Sequence, residues 1–117
     1  SEFSDDEIIN RIEEGMDDAY LRQWWVEMFY QKYPQEDHNH PRLLKLLQDE
    51  HVDPSFKTSL IHFVGFRTPE EMEVLRMLTQ DADKNLRFRA MNRLNEIDQK
   101  TAVDMTKRRY GATTGSH

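Results

Sequence analysis

The sequence predicts an all-α fold, an α-α superhelix of about three helix pairs preceded by a short N-terminal cap helix. Three observations predict it. Residues 81–97 (DADKNLRFRAMNRLNEI) carry Leu86, Arg87, Ala90 and Leu94 at a spacing that recurs twice upstream, as Phe56, Lys57, Leu60 and Val64 within 53–66 and as Leu21, Arg22, Trp25 and Phe29 within 18–29. The shorter run 43–50 (LLKLLQDE) aligns with 74–81 (VLRMLTQD) at an offset of 31 residues. No stretch alternates apolar and polar residues as a half-buried strand does, and the β-branched clusters sit within helical periods. Helix pairs repeated at thirty-odd residues cannot bury their apolar faces alone, so they stack and share a continuous core.

The elements follow in order. Ser4 with Glu7 three residues on is a capping box, and Ile8, Ile9 and Ile12 give a short amphipathic cap helix ending at Gly15. From Asp17 or Asp18 a second helix runs to about Tyr33, where Pro34 stops it; Leu21, Trp24, Trp25, Met28 and Phe29 form its buried stripe. Residues 35–40 (QEDHNH) read as a polar loop, and Pro41 opens a helix carrying Leu43, Leu44, Leu46 and Leu47. Asp53-Pro54 starts a fourth helix through Phe56, Leu60, Ile61, Phe63 and Val64 to Gly65. Thr68-Pro69-Glu70-Glu71 joins N-cap, Pro and capping Glu ahead of Met72, Leu75 and Leu78. After the 81–97 helix, residues 101–110 either extend it or form a last polar helix, and 111–117 lack apolar periodicity. The expected organisation is one helical-repeat domain over 1–110 and a flexible tail or tag remnant over 111–117, with Ser1-Glu2-Phe3 resembling a vector remnant.

Composition fits a modest folded core: of 117 residues, 37% are hydrophobic and 32% charged, with six Phe, four Tyr and two Trp, more aromatics than a disordered chain carries. Cysteine is absent, which removes disulfides, thiol nucleophiles and cysteine-ligated zinc and suits a reducing compartment. No apolar run approaches the roughly 18 residues of a membrane span and no signal peptide is visible, so the cytoplasm is the default expectation. The net charge of −6 conceals a gradient: residues 1–18 hold eight acids and one Arg, whereas 84–109 hold eight Lys/Arg and three acids. A basic end on an acidic body can still touch an anion locally.

An Asp-bearing turn, an apolar residue followed by Arg, a small residue three places later, then Leu and Ile, resembles the bacterial HEAT-repeat signature of the lyase-like kind, carried best by Asp83, Leu86, Arg87, Ala90 and Leu94. The resemblance spans residues 17–98, with Trp25 standing where the small residue belongs in the first unit. It implies that Asp53, Lys57, Asp83 and Arg87, and by extension Asp18 and Arg22, bond between neighbouring units. It also implies a binding scaffold, although fold of itself does not fix activity.

Candidate chemistry is sparse. Glu36, Asp37, His38 and His40 offer carboxylate and imidazole ligands suited to zinc, nickel or iron, but no second ligand cluster stands at a fixed spacing, and some HEAT-like enzymes hold iron through His-Glu pairs of which this chain has none. No metal or other cofactor is expected. The possible nucleophiles Ser55 and Ser59 lie outside any Gly-x-Ser-x-Gly turn, so the expectation is a protein without catalysis. Arg87, Arg89, Arg93, Lys107, Arg108 and Arg109, with Phe88 and Tyr110 nearby, make a basic end; its bland reading is a solvated helix face, and the acidic amino-terminal half argues against nucleic acid.

Adjacent Trp24 and Trp25 diverge by about 100° on a helix. Trp25 aligns with Leu60 and Ala90 and is expected in the core, whereas Trp24 aligns with the polar Ser59 and Arg89 and is the interface candidate. Extending that alignment gives an outward stripe: Gln23, Trp24 and Glu27; Thr58, Ser59 and His62; Phe88, Arg89 and Asn92. Stacked helices place these side by side, on the inner surface if the array curves, where an extended peptide or partner helix would lie. The resulting expectation is a non-catalytic protein-protein interaction scaffold or adaptor binding a protein or peptide through these nine residues. The alternatives are a fragment of a larger HEAT-like protein with an enzyme-associated or nucleic-acid-contacting role, and salt-sensitive self-association of the acidic end with the basic end.

Overall fold

A computed structural model describes residues 3–15, 18–33 and 39–115, of which 111–115 by backbone alone. Among the described residues six helices make the fold: α1 Asp5–Glu14, α2 Ala19–Lys32, α3 Pro41–Gln48, α4 Pro54–Phe63, α5 Pro69–Leu78 and α6 Lys84–Gly115. Among the described residues there is no strand, and no helix is long and apolar enough to cross a membrane.

Most starts are where the capping chemistry puts them. Ser4 Oγ accepts from the Glu7 amide at 3.2 Å, and Asp18 Oδ1 accepts from the Tyr20 and Leu21 amides at 2.9 and 3.3 Å. Asp53 caps α4 through the Ser55 amide at 3.4 Å, and Asp83 Oδ1 takes the Leu86 amide at 2.9 Å. Each carboxylate or hydroxyl satisfies amides that a helix start leaves without a partner. Gly15 ends α1 with φ at +59°, a left-handed conformation that a side chain resists, and a Cβ there would lie 3.2 Å from the Arg22 guanidinium.

The helices form two rows. α1 packs on α3 and α3 on α5, while α2 packs on α4 and α4 on α6; α1 also packs on α2, α3 on α4 and α5 on α6. The predicted cap helix packs chiefly on α2 and also touches α3. One contiguous cluster lies between the rows, built from Ile8, Ile9 and Ile12, then Val26 and Phe29, then Leu43, Leu47, Leu60, Ile61, Leu75, Leu86 and Ala90.

Two expectations are corrected. The fourth helix does not reach Gly65; it ends at Phe63, and Val64 turns extended with ψ at 134°. The cause is Asn39, whose amide acts as a surrogate backbone: Oδ1 accepts from the Gly65 amide at 3.3 Å and Nδ2 donates to the Gly65 carbonyl at 2.5 Å. The freed segment then drives Val64 and Phe66 into the core. Of the residues implied to pair between units, Asp53, Asp83 and Arg87 make local bonds, while the Arg22 guanidinium feels the Asp53 charge across the α2–α4 step. The aspartates cap their own helices, and Arg87 Nη1 donates to the Asp81 and Ala82 carbonyls at 2.9 and 3.4 Å. Arg22 Nε does the same for the Ile12 carbonyl at 2.8 Å, its guanidinium 3.8 Å from the centre of the Phe56 ring. Orphan amides and carbonyls at helix ends are the nearest polar groups and costly to leave unpaired when buried. Lys57, 5% exposed, lines a small crevice with Glu50 and Asp81.

Residues 101–110 continue α6 as one helix, and its 32 residues amount to about 48 Å of rod. That length sets the long axis of 59 Å and a radius of gyration of 16.6 Å, above the roughly 13 Å of a compact chain this size.

Candidate functional site

Across the α2–α4–α6 row runs a groove of about 310 Å³, lined by Gln23 and Glu27 from α2, Thr58, Ser59, His62 and Phe63 from α4, and Arg89 from α6. Their meeting follows from the packing of the row: α2 touches α4 and α4 touches α6, so outward residues at matching heights on three helices share one surface. Six of the nine stripe residues read from the sequence are brought together here. Trp24, Phe88 and Asn92 are not among the lining residues.

Helical rotation accounts for the difference. Phe88 precedes Arg89 by about 100°, which carries it out of the groove; it is 49% exposed, as Met91 is at 44%, with Lys84 Nζ 5.7 Å from the ring centre. Trp24 is 46% exposed and meets the 8%-exposed Trp25 edge-on at 5.0 Å. Asn92 is exposed on the outer side of α6. Phe63 was not in the predicted stripe; its place next to His62, on the turn that carries Ser59, is the signal that points to it.

Inside the groove, Arg89 Nη2 lies 2.6 Å from His62 Nδ1. A guanidinium only donates, so Nδ1 accepts and the ring proton belongs on Nε2. On the α2 wall Gln23 Nε2 donates to Glu27 Oε1 at 3.5 Å, and on α4 the Thr58 hydroxyl donates to the Pro54 carbonyl at 2.9 Å. Gln23 and Ser59 also line a neighbouring crevice of about 360 Å³ that leads to Arg22, Asp53 and Gly15. Burial lowers the Arg22 pKa from its ordinary value, partly offset by the Asp53 charge. The two crevices meet at Gln23 and Ser59 to make one trough along α2 and α4.

Three other features were weighed in the sequence or missed by it. Glu36, Asp37 and His38 lie outside the described residues, and His40 is used as a cap, its Nδ1 accepting from the Arg42 amide at 3.2 Å. The acidic α1 is partly neutralised within the fold: Asp5 takes Lys32 at 2.9 Å and the Tyr33 hydroxyl at 2.6 Å, while Arg42 bonds Glu13 and lies 3.8 Å from Asp6. The sequence did not reveal the network around Asn39, in which the Tyr30 hydroxyl donates to Oδ1 at 2.9 Å and Nδ2 donates to Glu71 Oε2 at 2.7 Å. Burial pushes the Tyr30 phenol well up, with the Glu71 charge adding to it. Burial also pushes Glu71 up, but the Thr68 and Arg67 amides, both at 2.9 Å to Oε1, together with Asn39 outweigh it and hold the carboxyl below its ordinary value. Asn39 joins α2, Gly65 and α5.

A larger crevice of about 560 Å³ lies between residues 65–67, Met72 and the 93–104 stretch of α6. Its outer wall past Ile97 is a single helix with every described side chain exposed. No protein-family model, curated protein or solved structure matches this chain.

Proposed function

We propose that the chain is a HEAT-like α-α superhelix serving as a non-catalytic scaffold that holds a segment of a partner protein across the groove of α2, α4 and α6. The observation that carries this reading is the convergence of six outward residues from three helices, spaced over 67 positions of sequence from Gln23 to Arg89, on one trough. Two further features support it. The helices lie in two rows, the odd-numbered against one another and the even-numbered likewise, as stacked pairs do. The groove also has rigid walls, since each of its lining residues sits on a helix and not on a loop.

Catalysis is disfavoured by the chemistry of the groove. Ser59 and His62 stand one turn apart on α4, but the imidazole faces a guanidinium through Nδ1, where a general base needs a carboxylate to orient it and stabilise its cation. With Nδ1 accepting from Arg89 and the ring proton on Nε2, neither ring nitrogen offers a free lone pair to the Ser59 hydroxyl.

Immobilised wild-type protein and a Ser59→Trp variant, whose indole fills the meeting point of the two crevices, are compared for capture of partners from native extract. The proposal expects bands retained by the wild type and lost with Ser59→Trp, while Met105→Glu on the exposed half of α6 retains them. Equal capture by Ser59→Trp and wild type, with matching circular dichroism, places binding elsewhere and ends this reading.

A further inference from the structure

Of the three arginines that α6 carries over the body, two are committed to the fold. Arg87 donates to the carbonyls of Asp81 and Ala82. Arg93 donates to the Val64 carbonyl at 3.3 Å and pairs with Glu96 at 3.5 Å. Arg89 differs: its bond goes to His62, a neutral acceptor in that geometry, and among the described residues it has no carboxylate within ion-pair distance. Its guanidinium carries five N–H donors in a planar fork, of which a single imidazole nitrogen occupies one edge. The side chain is half-buried on the α6 wall of the groove, where reduced solvation strengthens a charge-assisted bond.

The opposite wall has the opposite charge. Glu27 lines the groove from α2 and takes only the long bond from Gln23, itself a groove residue. Arg89 and Glu27 thus stand on facing walls, both half-buried, without pairing with each other. Between them lie the hydroxyls of Thr58 and Ser59 on α4; that of Thr58 is already donated to Pro54 and can still accept. The groove is polarised, with a fork of donors at the α6 end, a carboxylate at the α2 end and small polar groups between.

We infer, building on the scaffold reading above, that the groove recognises an extended segment of a partner protein by an Asp or Glu side chain docked on Arg89 and an N–H or ammonium donor docked on Glu27. The axes of α2 and α6 are two helix spacings apart, about 16–20 Å, which five or six residues of extended chain cover at about 3.3 Å each. The segment lies across the helices with its acidic end over α6 and its donor end over α2. The acid pairs bidentately with the guanidinium, the arrangement the planar fork suits best.

A displayed library of random heptapeptides, selected against the immobilised full chain and against Arg89→Glu and Glu27→Lys variants, tests this. The wild type should enrich peptides carrying Asp or Glu at one fixed position. Arg89→Glu should abolish that preference or reverse it to Lys or Arg, and Glu27→Lys should leave the acid preference in place while changing the residues at the other end. The best peptide is then synthesised with Glu, Gln or phosphoserine at the acidic position and titrated by fluorescence anisotropy. Gln should weaken binding at least about tenfold. Enriched peptides without an acid preference, or with one that Arg89→Glu leaves untouched, overturn the inference while the scaffold reading stands. Phosphoserine binding more than about tenfold tighter than Glu overturns the choice of a carboxylate. A library from which nothing is enriched counts against both readings.

Discussion

The two halves of α6 share one helix and differ in nearly everything else. Over residues 84–97 the helix lies on the body: Leu86 and Ala90 are fully buried, and Leu94 and Ile97 pack against the core cluster. Over residues 98–110 every side chain is exposed, including Val103, Met105 and Tyr110. The inward stripe of Leu86, Ala90, Leu94 and Ile97 continues at the same spacing as Thr101, Met105 and Arg108, so the period persists after its apolar content has gone. The first half is held by burial of apolar surface. The second has no buried side chain to hold it and carries several weak helix formers, Asp98, Thr101, Val103, Asp104 and Thr106 among them. Isolated helices of that length are marginal in water. Helix formation and helix burial are separate achievements, and only burial ties a segment to the cooperative unit.

The largest effect that could break this contrast is a pair of truncations. Leu86→Ala should lose about 2–5 kcal/mol of unfolding free energy, read from urea or thermal denaturation, whereas Met105→Ala should stay within about 0.5 kcal/mol. Comparable losses for the two would mean that the distal half packs as firmly as the proximal one.

The same division explains which features could be read from sequence. Caps are local, so the starts set by Ser4, Asp18, Asp53 and Thr68 were visible within a few residues of chain. Aligned positions also predicted depth: Trp25, Leu60 and Ala90 are all buried, as are Phe56 and Leu86. Asn39 was not visible, because its partners Gly65 and Glu71 lie 26 and 32 residues away and no periodicity links an amide in a loop to a carbonyl beyond a helix. The premature end of α4 went unseen for the same reason. In the groove, alignment identified the matching heights on three helices but not the angle at which each side chain leaves its axis, and so included Phe88 and Trp24 with Arg89 and Ser59. The length of α6 was left open, since a polar continuation and a separate polar helix look alike without tertiary contacts.

A middle-sized effect comes from acid. Glu71 is 7% exposed and starts α5, against which the first half of α6 packs. Its folded pKa lies below its ordinary value, so its contribution is fully present above the unfolded pKa and is lost as pH falls through the lower folded one. Glu13, lowered by its hydrogen bond to Arg42, acts in the same sense. Denaturation midpoints should therefore fall as pH drops below the ordinary carboxylate range, and Glu71→Gln should be less stable at pH 7 by about 1–3 kcal/mol with a flatter acid limb. Equal pH slopes for the two proteins would sever the proximal half of α6 from this buried carboxylate.

The smallest effect is the sharpest test of the contrast. Proline inside a helix removes one amide donor and clashes with the preceding turn, at a cost of about 3 kcal/mol wherever the helix is part of the cooperative unit. Ala90→Pro should pay that in full and add the loss of fit against the core, since Ala90 is fully buried. Ala102→Pro interrupts the same helix where every described side chain is exposed, so the cost falls on the distal segment. Its denaturation midpoint should match the wild type within about 0.5 kcal/mol, while far-ultraviolet circular dichroism loses part of its helical signal and amide exchange over 103–110 approaches that of an open chain. A midpoint shift near that of Ala90→Pro would show that the overhang folds with the body, and that its exposed face is covered in solution.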